Sequence, residues 1–234
     1  MNKQKPFPLL KKLFHYKMKI KKLKTVRCPI PIFLVTWLIG LVGFSFGKLH
    51  AQVAMMAGGH YSSIRDNIPI QGKSAIPGYN IGFSLQYSPF KGWESLSLIH
   101  ELNFVKKGYR QRLDKNYFYR FNNLSLSVLG DYAIAKPISL QGGIEFAKVT
   151  SSNIKYWKKT YNDFDIGLIV GINMKIYKNL SLYSRLTYGL LPMLDYYDID
   201  EMGNFKKEIH DVKNITYTIG IKLNISNEKN KTHR

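Results

Sequence analysis

Seven ionisable residues sit at alternate positions of otherwise apolar or small-residue segments: Glu101, Asp131, Glu145, Asp165, Lys175, Arg185 and Lys222. Paired carboxylates among bases can do acid–base chemistry. Enclosed in a narrow barrel, whose interior is only wide enough for side chains, the same groups must pair or become neutral. That makes them a structural ion network rather than a catalytic set. His100 lies close in sequence to Ser95 and Ser97, the residue types of a hydrolase. Ser97, however, has the opposite parity to His100 along an extended chain and faces away from it. His60, His210 and His233 have no metal-ligand spacing. The acidic stretch Asp195–Asn204 lacks the Asp-x-Asp-x-Asp-Gly order of a calcium loop and reads as a solvated loop. The glycines lie inside strand-like runs, not in a phosphate-binding turn. No catalytic residue, metal ligand or cofactor site is therefore assigned.

The elements that must position these groups are strands. In residues 79–87, Tyr79, Ile81, Phe83, Leu85 and Tyr87 alternate with Asn80, Gly82, Ser84 and Gln86. Residues 164–177 and 215–225 repeat the pattern, with Leu168, Val170, Ile172, Ile219, Ile221 and Leu223 on one face. Such alternation marks a strand with one greasy face. Eight strands are predicted over 52–61, 78–88, 95–108, 117–134, 139–150, 163–177, 180–191 and 214–226. The connections alternate between long (62–77, 109–116, 151–162, 192–213) and short (89–94, 135–138, 178–179). Long loops at one end and tight turns at the other are the habit of outer-membrane barrels. Aromatic residues crowd both ends: Tyr87, Phe90, Trp93 and Tyr132 by the turns, and Tyr109, Tyr117, Phe118, Tyr156, Trp157 and Tyr188 by the loops. They are expected to form the two aromatic girdles.

The charge is unevenly spread. Of a formal net charge of +20 in 234 residues, the first 51 residues supply 11 basic groups and no acid. Their basic start, the uncharged run Ile32–Gly47 and the following KLHAQ describe a secretory signal peptide over 1–51, whose true start is Met1 or Met18. The uncharged run is too short for the roughly 20 residues of a spanning helix. Cys28, the one cysteine, precedes the apolar run, so the mature chain carries none and can hold no disulfide framework. The expected organisation is 1–51 signal peptide, 52–226 barrel and 227–234 polar tail. An exported chain has no access to nucleic acid. The residual basic excess suits anionic lipopolysaccharide instead.

Several segments resemble the PorT-like outer-membrane β-barrel proteins of Bacteroidota. Glu101, Leu102, Lys107 and Gly108 hold the family's Glu-Leu…Lys-Gly positions. Gly142 and Gly143 fall in its fifth strand, and Asp165, Gly167, Gly171, Tyr188 and Gly189 match its marks in the sixth and seventh. Ser125 stands where the family often has Pro. Thr218, Gly220, Leu223 and Ile225 resemble the terminal signal read by the barrel-assembly machinery. The resemblance implies an all-β, eight-stranded antiparallel up-and-down transmembrane β-barrel, with both termini periplasmic. It also implies a non-enzymatic structural or binding role, as an accessory of an envelope or secretion system. The expected partners are outer-membrane lipid, lipopolysaccharide, the assembly machinery and an envelope or secretion protein. A lipid-modifying enzyme on the same barrel, or a soluble calycin-like binder in the periplasm, are the alternative readings.

Overall fold

The chain divides into two units, Met1–Lys48 and Leu49–Arg234. The structure, a computed structural model, describes residues 51–66, 72–89, 92, 95–112, 115–155, 161–199 and 205–225, with backbone only for 195–199 and 205–211. The signal peptide and the polar tail lie outside the described residues, as do Phe90, Trp93, Tyr156 and Trp157.

The alternating segments form nine strands: β1 (Gln52–Asp66), β2 (Lys73–Tyr87), β3 (Leu96–Arg112), β4 (Asn116–Ala135), β5 (Ile138–Ser152), β6 (Phe164–Lys175), β7 (Leu180–Gly189), β8 (Leu194–Ile199) and β9 (Phe205–Asn224). All pairings are antiparallel, and the order β1-β2-β3-β4-β5-β6-β7-β9 closes on itself through β1–β9. Eight staves thus make an up-and-down ring. The additional short strand, β8, continues the line of β7: β7 pairs with the second half of β9, and β8 with its first half.

This corrects the expected loops. Residues 62–66, 73–77, 109–112 and much of 192–213 are paired strand, not connection. The reason is physical. Alternation marks a strand only where one face meets lipid and the other does not. Past the greasy zone the outward face meets water, as at Ser63 and Arg65, while Ser62 and Ile64 stay buried on the inner face and the backbone ladder continues.

The outward face is apolar right round the ring. Phe83 is 55% exposed, Leu124 47%, Val170 58% and Ile219 47%, and each lies mid-strand. A soluble protein rarely leaves so continuous an apolar surface in water. As the lipid-facing band of a barrel it is what the fold requires. Apart from Leu126, which lies on the outward face beside Leu102, the buried side chains have lumen parity. The expected girdles need one correction. Tyr132, Tyr117 and Phe118 are exposed, but Tyr109 is buried in a cluster with Ile64, Phe121, Met193 and Val212. With Tyr119, Tyr161 and Leu194 packed against it, this cluster caps the loop end of the lumen from inside.

β2 carries a bulge between Ala75 and Asn80, around Pro77, which has no N–H to offer a ladder. Across the gap β1 supplies the missing partners to β3. Ser62 Oγ donates to Gly108 O at 2.8 Å and accepts from Gly108 N at 2.8 Å, and the His60 ring meets Lys106 O at 3.0 Å. Gly78 makes this possible, because a Cβ there would collide with the His60 ring and with Lys106 O.

Candidate functional site

Inward positions of six staves, β3 to β7 and β9, bring the charged groups into one enclosed column. At its middle, Arg185 on β7 donates Nη1 and Nη2 to the two carboxylate oxygens of Glu101 on β3, at 2.6 and 2.8 Å. Glu101 is 1% exposed and Arg185 6%. This two-pronged geometry is the strong form of a charged hydrogen bond. Arg185 Nε donates to Gln141 Oε1 at 2.8 Å, and Gln141 Nε2 donates to Asp131 Oδ1 at 2.8 Å. Asp131 also accepts from Ser139 at 2.8 Å and from Gln86 at 3.5 Å, and Lys222 Nζ donates to Gln86 Oε1 at 3.0 Å. Glu101, Arg185, Asp131 and Lys222 are thus linked through Gln141 and Gln86. A second pair, Lys107 Nζ to Glu145 Oε1 at 2.5 Å, lies nearer the loop end. Asp165 accepts from Asn214 Nδ2 at 3.0 Å.

Lys175 does not join. It is exposed as the last residue of β6 at the turn-side mouth, where water solvates it. Parity placed it on the inner face, but parity carries no information about where the lumen ends. Lys107 is the functional-network residue that the chemical reading left out. Its signal was available: it lies six residues after Glu101 and so shares its face.

Tyr183, 1% exposed, fills the column beside Arg185, whose Cζ lies 4.6 Å from the ring centroid. Its hydroxyl accepts from Asn80 Nδ2 at 2.9 Å. The ring lies over Gly58 and Gly220, cross-strand partners of β1 and β9. A Cβ on Gly58 would come within 2.9 Å of Tyr183 Oη, and one on Gly220 would collide with it. Gly220, read from sequence as part of the assembly signal, therefore also makes room for a lumen side chain. Of the other signal residues, Thr218 pairs with His60 and Arg185 across the ladders, and Leu223 and Ile225 face outward.

Little space remains inside. Two cavities lined by described lumen residues measure about 10 and 30 Å³. The larger, between the two ion pairs, has room for about two waters. Unpartnered Asn80 Oδ1 and Asn103 Oδ1 belong to residues that line it.

The serine–histidine pairing that a hydrolase needs is not assembled. Ser97 Oγ accepts from Gln86 Nε2 at 2.7 Å on the lumen side. His100 stacks outside on Tyr87, with centroids 5.7 Å apart and a 3.1 Å contact between Tyr87 Oη and His100 Nε2. Among the described residues no three His, Cys, Asp or Glu side chains are grouped for a metal. The acidic stretch falls partly in β8, and residues 200–204 with the side chains of 195–199 lie outside the described residues.

A family model described as "Outer membrane protein beta-barrel domain" matches residues 38–195. No curated protein matches the chain. Among solved structures, Neisserial surface protein A is 13% identical, with 74% of this chain and 97% of that chain covered, at a TM-score of 0.45. Ail, the attachment invasion locus protein of Yersinia pestis, in complex with the heparin analogue sucrose octasulfate, is 16% identical, with 75% and 99% covered and a TM-score of 0.43. The outer membrane protein W of E. coli is 9% identical, with 76% and 100% covered and a TM-score of 0.38.

Proposed function

The chain belongs to the outer membrane protein β-barrel domain family, and from that premise we propose that it is a closed, non-enzymatic barrel with a structural or binding role in the envelope. In this reading it is PorT-like, its termini are periplasmic, and an envelope or secretion protein meets its loop end. Lipopolysaccharide surrounds that end, and the assembly machinery reads β9 through Thr218, Gly220, Leu223 and Ile225. The single observation that carries the closed, non-transporting part is the filled lumen. The Glu101–Arg185 and Lys107–Glu145 pairs cross the column, and the Tyr109–Phe121–Met193 cluster covers it. Channels of the porin type need sixteen or more strands to leave an aqueous path. Planar-bilayer recording of the purified barrel is expected to give no steady open level. Stable conductance in the nanosiemens range would overturn the reading.

Export is proposed to remove residues 1–51. The mass of the membrane-extracted protein should then correspond to a chain starting at Gln52. A retained basic N-terminus would favour an anchor over a cleaved signal.

A further inference from the structure

The outward-facing cations of the β2 to β5 strands are gathered in the loop half of the ring, and no described acid of those strands faces them. Strands β2 to β5 carry three acids, Glu101, Asp131 and Glu145, and all three are buried in the lumen. On the outside of the loop half stand Lys106 and Arg110 on β3 and Arg120 on β4. Arg120 is the cross-strand partner of Gly108, so it lies between the two β3 cations. Among the described residues no carboxylate pairs with any of the three. Like charges held this close on one sheet face repel. Each is nonetheless seated. Lys106 Nζ lies 5.8 Å from the Tyr79 ring centroid, Arg120 Cζ lies 5.7 Å from that of Phe118, and Arg110 Nε donates to Ser74 Oγ at 2.8 Å.

We infer that Lys106, Arg110 and Arg120 form a binding site for a phosphate-bearing lipid headgroup of the loop-side leaflet. The inference rests on the membrane-barrel reading and deepens its lipid partner to a place and a chemistry. Continuity with the apolar band selects a lipid over a soluble anion. Phe104 and Leu124, paired with each other one step below Lys106 and Asn122, are 37% and 47% exposed and face the acyl region. A headgroup phosphate held by the three cations thus has its chains directed onto an apolar surface. Lys148, exposed and paired with Leu124, extends the basic rim to β5.

The test uses delipidated full-length barrel in neutral detergent, titrated with diphosphorylated lipid A and read by native mass spectrometry. K106Q/R110Q/R120Q is expected to weaken binding about a hundredfold, and R120Q alone about fivefold. The control K136Q/K175Q/K178Q removes three exposed cations at the turn end and should bind as the parent does. Undiminished binding by the loop-side triple, or equal losses from both triples, would overturn the site. Competition by inorganic phosphate as strong as that by lipid A would overturn the commitment to a lipid. The outward positions leave the lumen intact, so the fast-migrating folded band on an unheated detergent gel should persist in every variant. If the triple loses it, R120Q decides. A barrel that keeps this band and fractionates with membranes but ignores lipid A sinks the site alone. Recovery from the soluble periplasm would sink the membrane reading itself.

Discussion

Glu101→Gln is expected to destabilise the folded barrel by about 3–5 kcal/mol, because it leaves the Arg185 guanidinium buried without its counter-charge. The argument is one of desolvation. Glu101 and Arg185 are both held almost wholly out of solvent and bond to each other twice. Glutamine keeps the shape and one acceptor oxygen but not the charge, so the guanidinium keeps its dehydration cost and loses most of its compensation. Arg185→Met leaves the mirror problem at Glu101 and also strips Gln141 of a hydrogen bond. The double change E101Q/R185M removes both charges together and should cost clearly less than the two singles added. Urea unfolding of the reconstituted protein measures all three. Additive losses would mean that the pair is not coupled in the folded barrel.

Val170→Arg should cost about 2–4 kcal/mol, since it puts a cation at mid-depth in the lipid. Val170 is 58% exposed, on the outward face of β6 between Gly142 of β5 and Leu186 of β7. The contrast is Asn173→Arg three residues on. Asn173 has inward parity, is half-buried close to the turn-side mouth, and donates weakly to Ser139 Oγ at 3.4 Å. An arginine there can reach water, so its cost is one of packing and should be the smaller. The same unfolding assay compares the two. Equal damage from both would contradict the assignment of lipid and lumen faces.

Residue parity carried much of the fold. It places Val170 outside and Glu101 and Arg185 inside because the membrane gives the two faces of each strand opposite demands. What parity cannot carry is depth. Lys175 has lumen parity yet stands in water at the mouth. Tyr109, by contrast, was legible, since it shares the parity of Glu101 and Lys107 and caps the column from inside. Pairing across the lumen is equally hidden. Glu145 could have met any inward cation, and only the closed ring sets it against Lys107 instead of Arg185. The bulge in β2 lies around Pro77, which the sequence alone puts at the end of a connection, and that His60 and Ser62 reach across it to β3 depends on three strands at once. The extension of the hairpin into β8 and the first half of β9 was invisible because alternation fades where lipid does.

The seam that closes the ring joins the first strand to the last: Ala54 is matched with Asn224 and Asp66 with Val212. Every other ladder of the ring can form between neighbours as they emerge, but this one waits for the whole chain. The barrel is therefore of high contact order at a single place, and its closure is a late event on the folding path. Until then β1 presents a bare edge that can recruit any other strand, including that of a second copy. The lumen column has the same timing. Lys222 reaches Gln86 and Thr218 lies beside Arg185 only once β9 is in place, so the interior charges are sheltered in the step that seals the wall. Closing the wall and enclosing the interior charges are one step. An escort that guards the β1 edge during transit would shield the unpaired charges along with it.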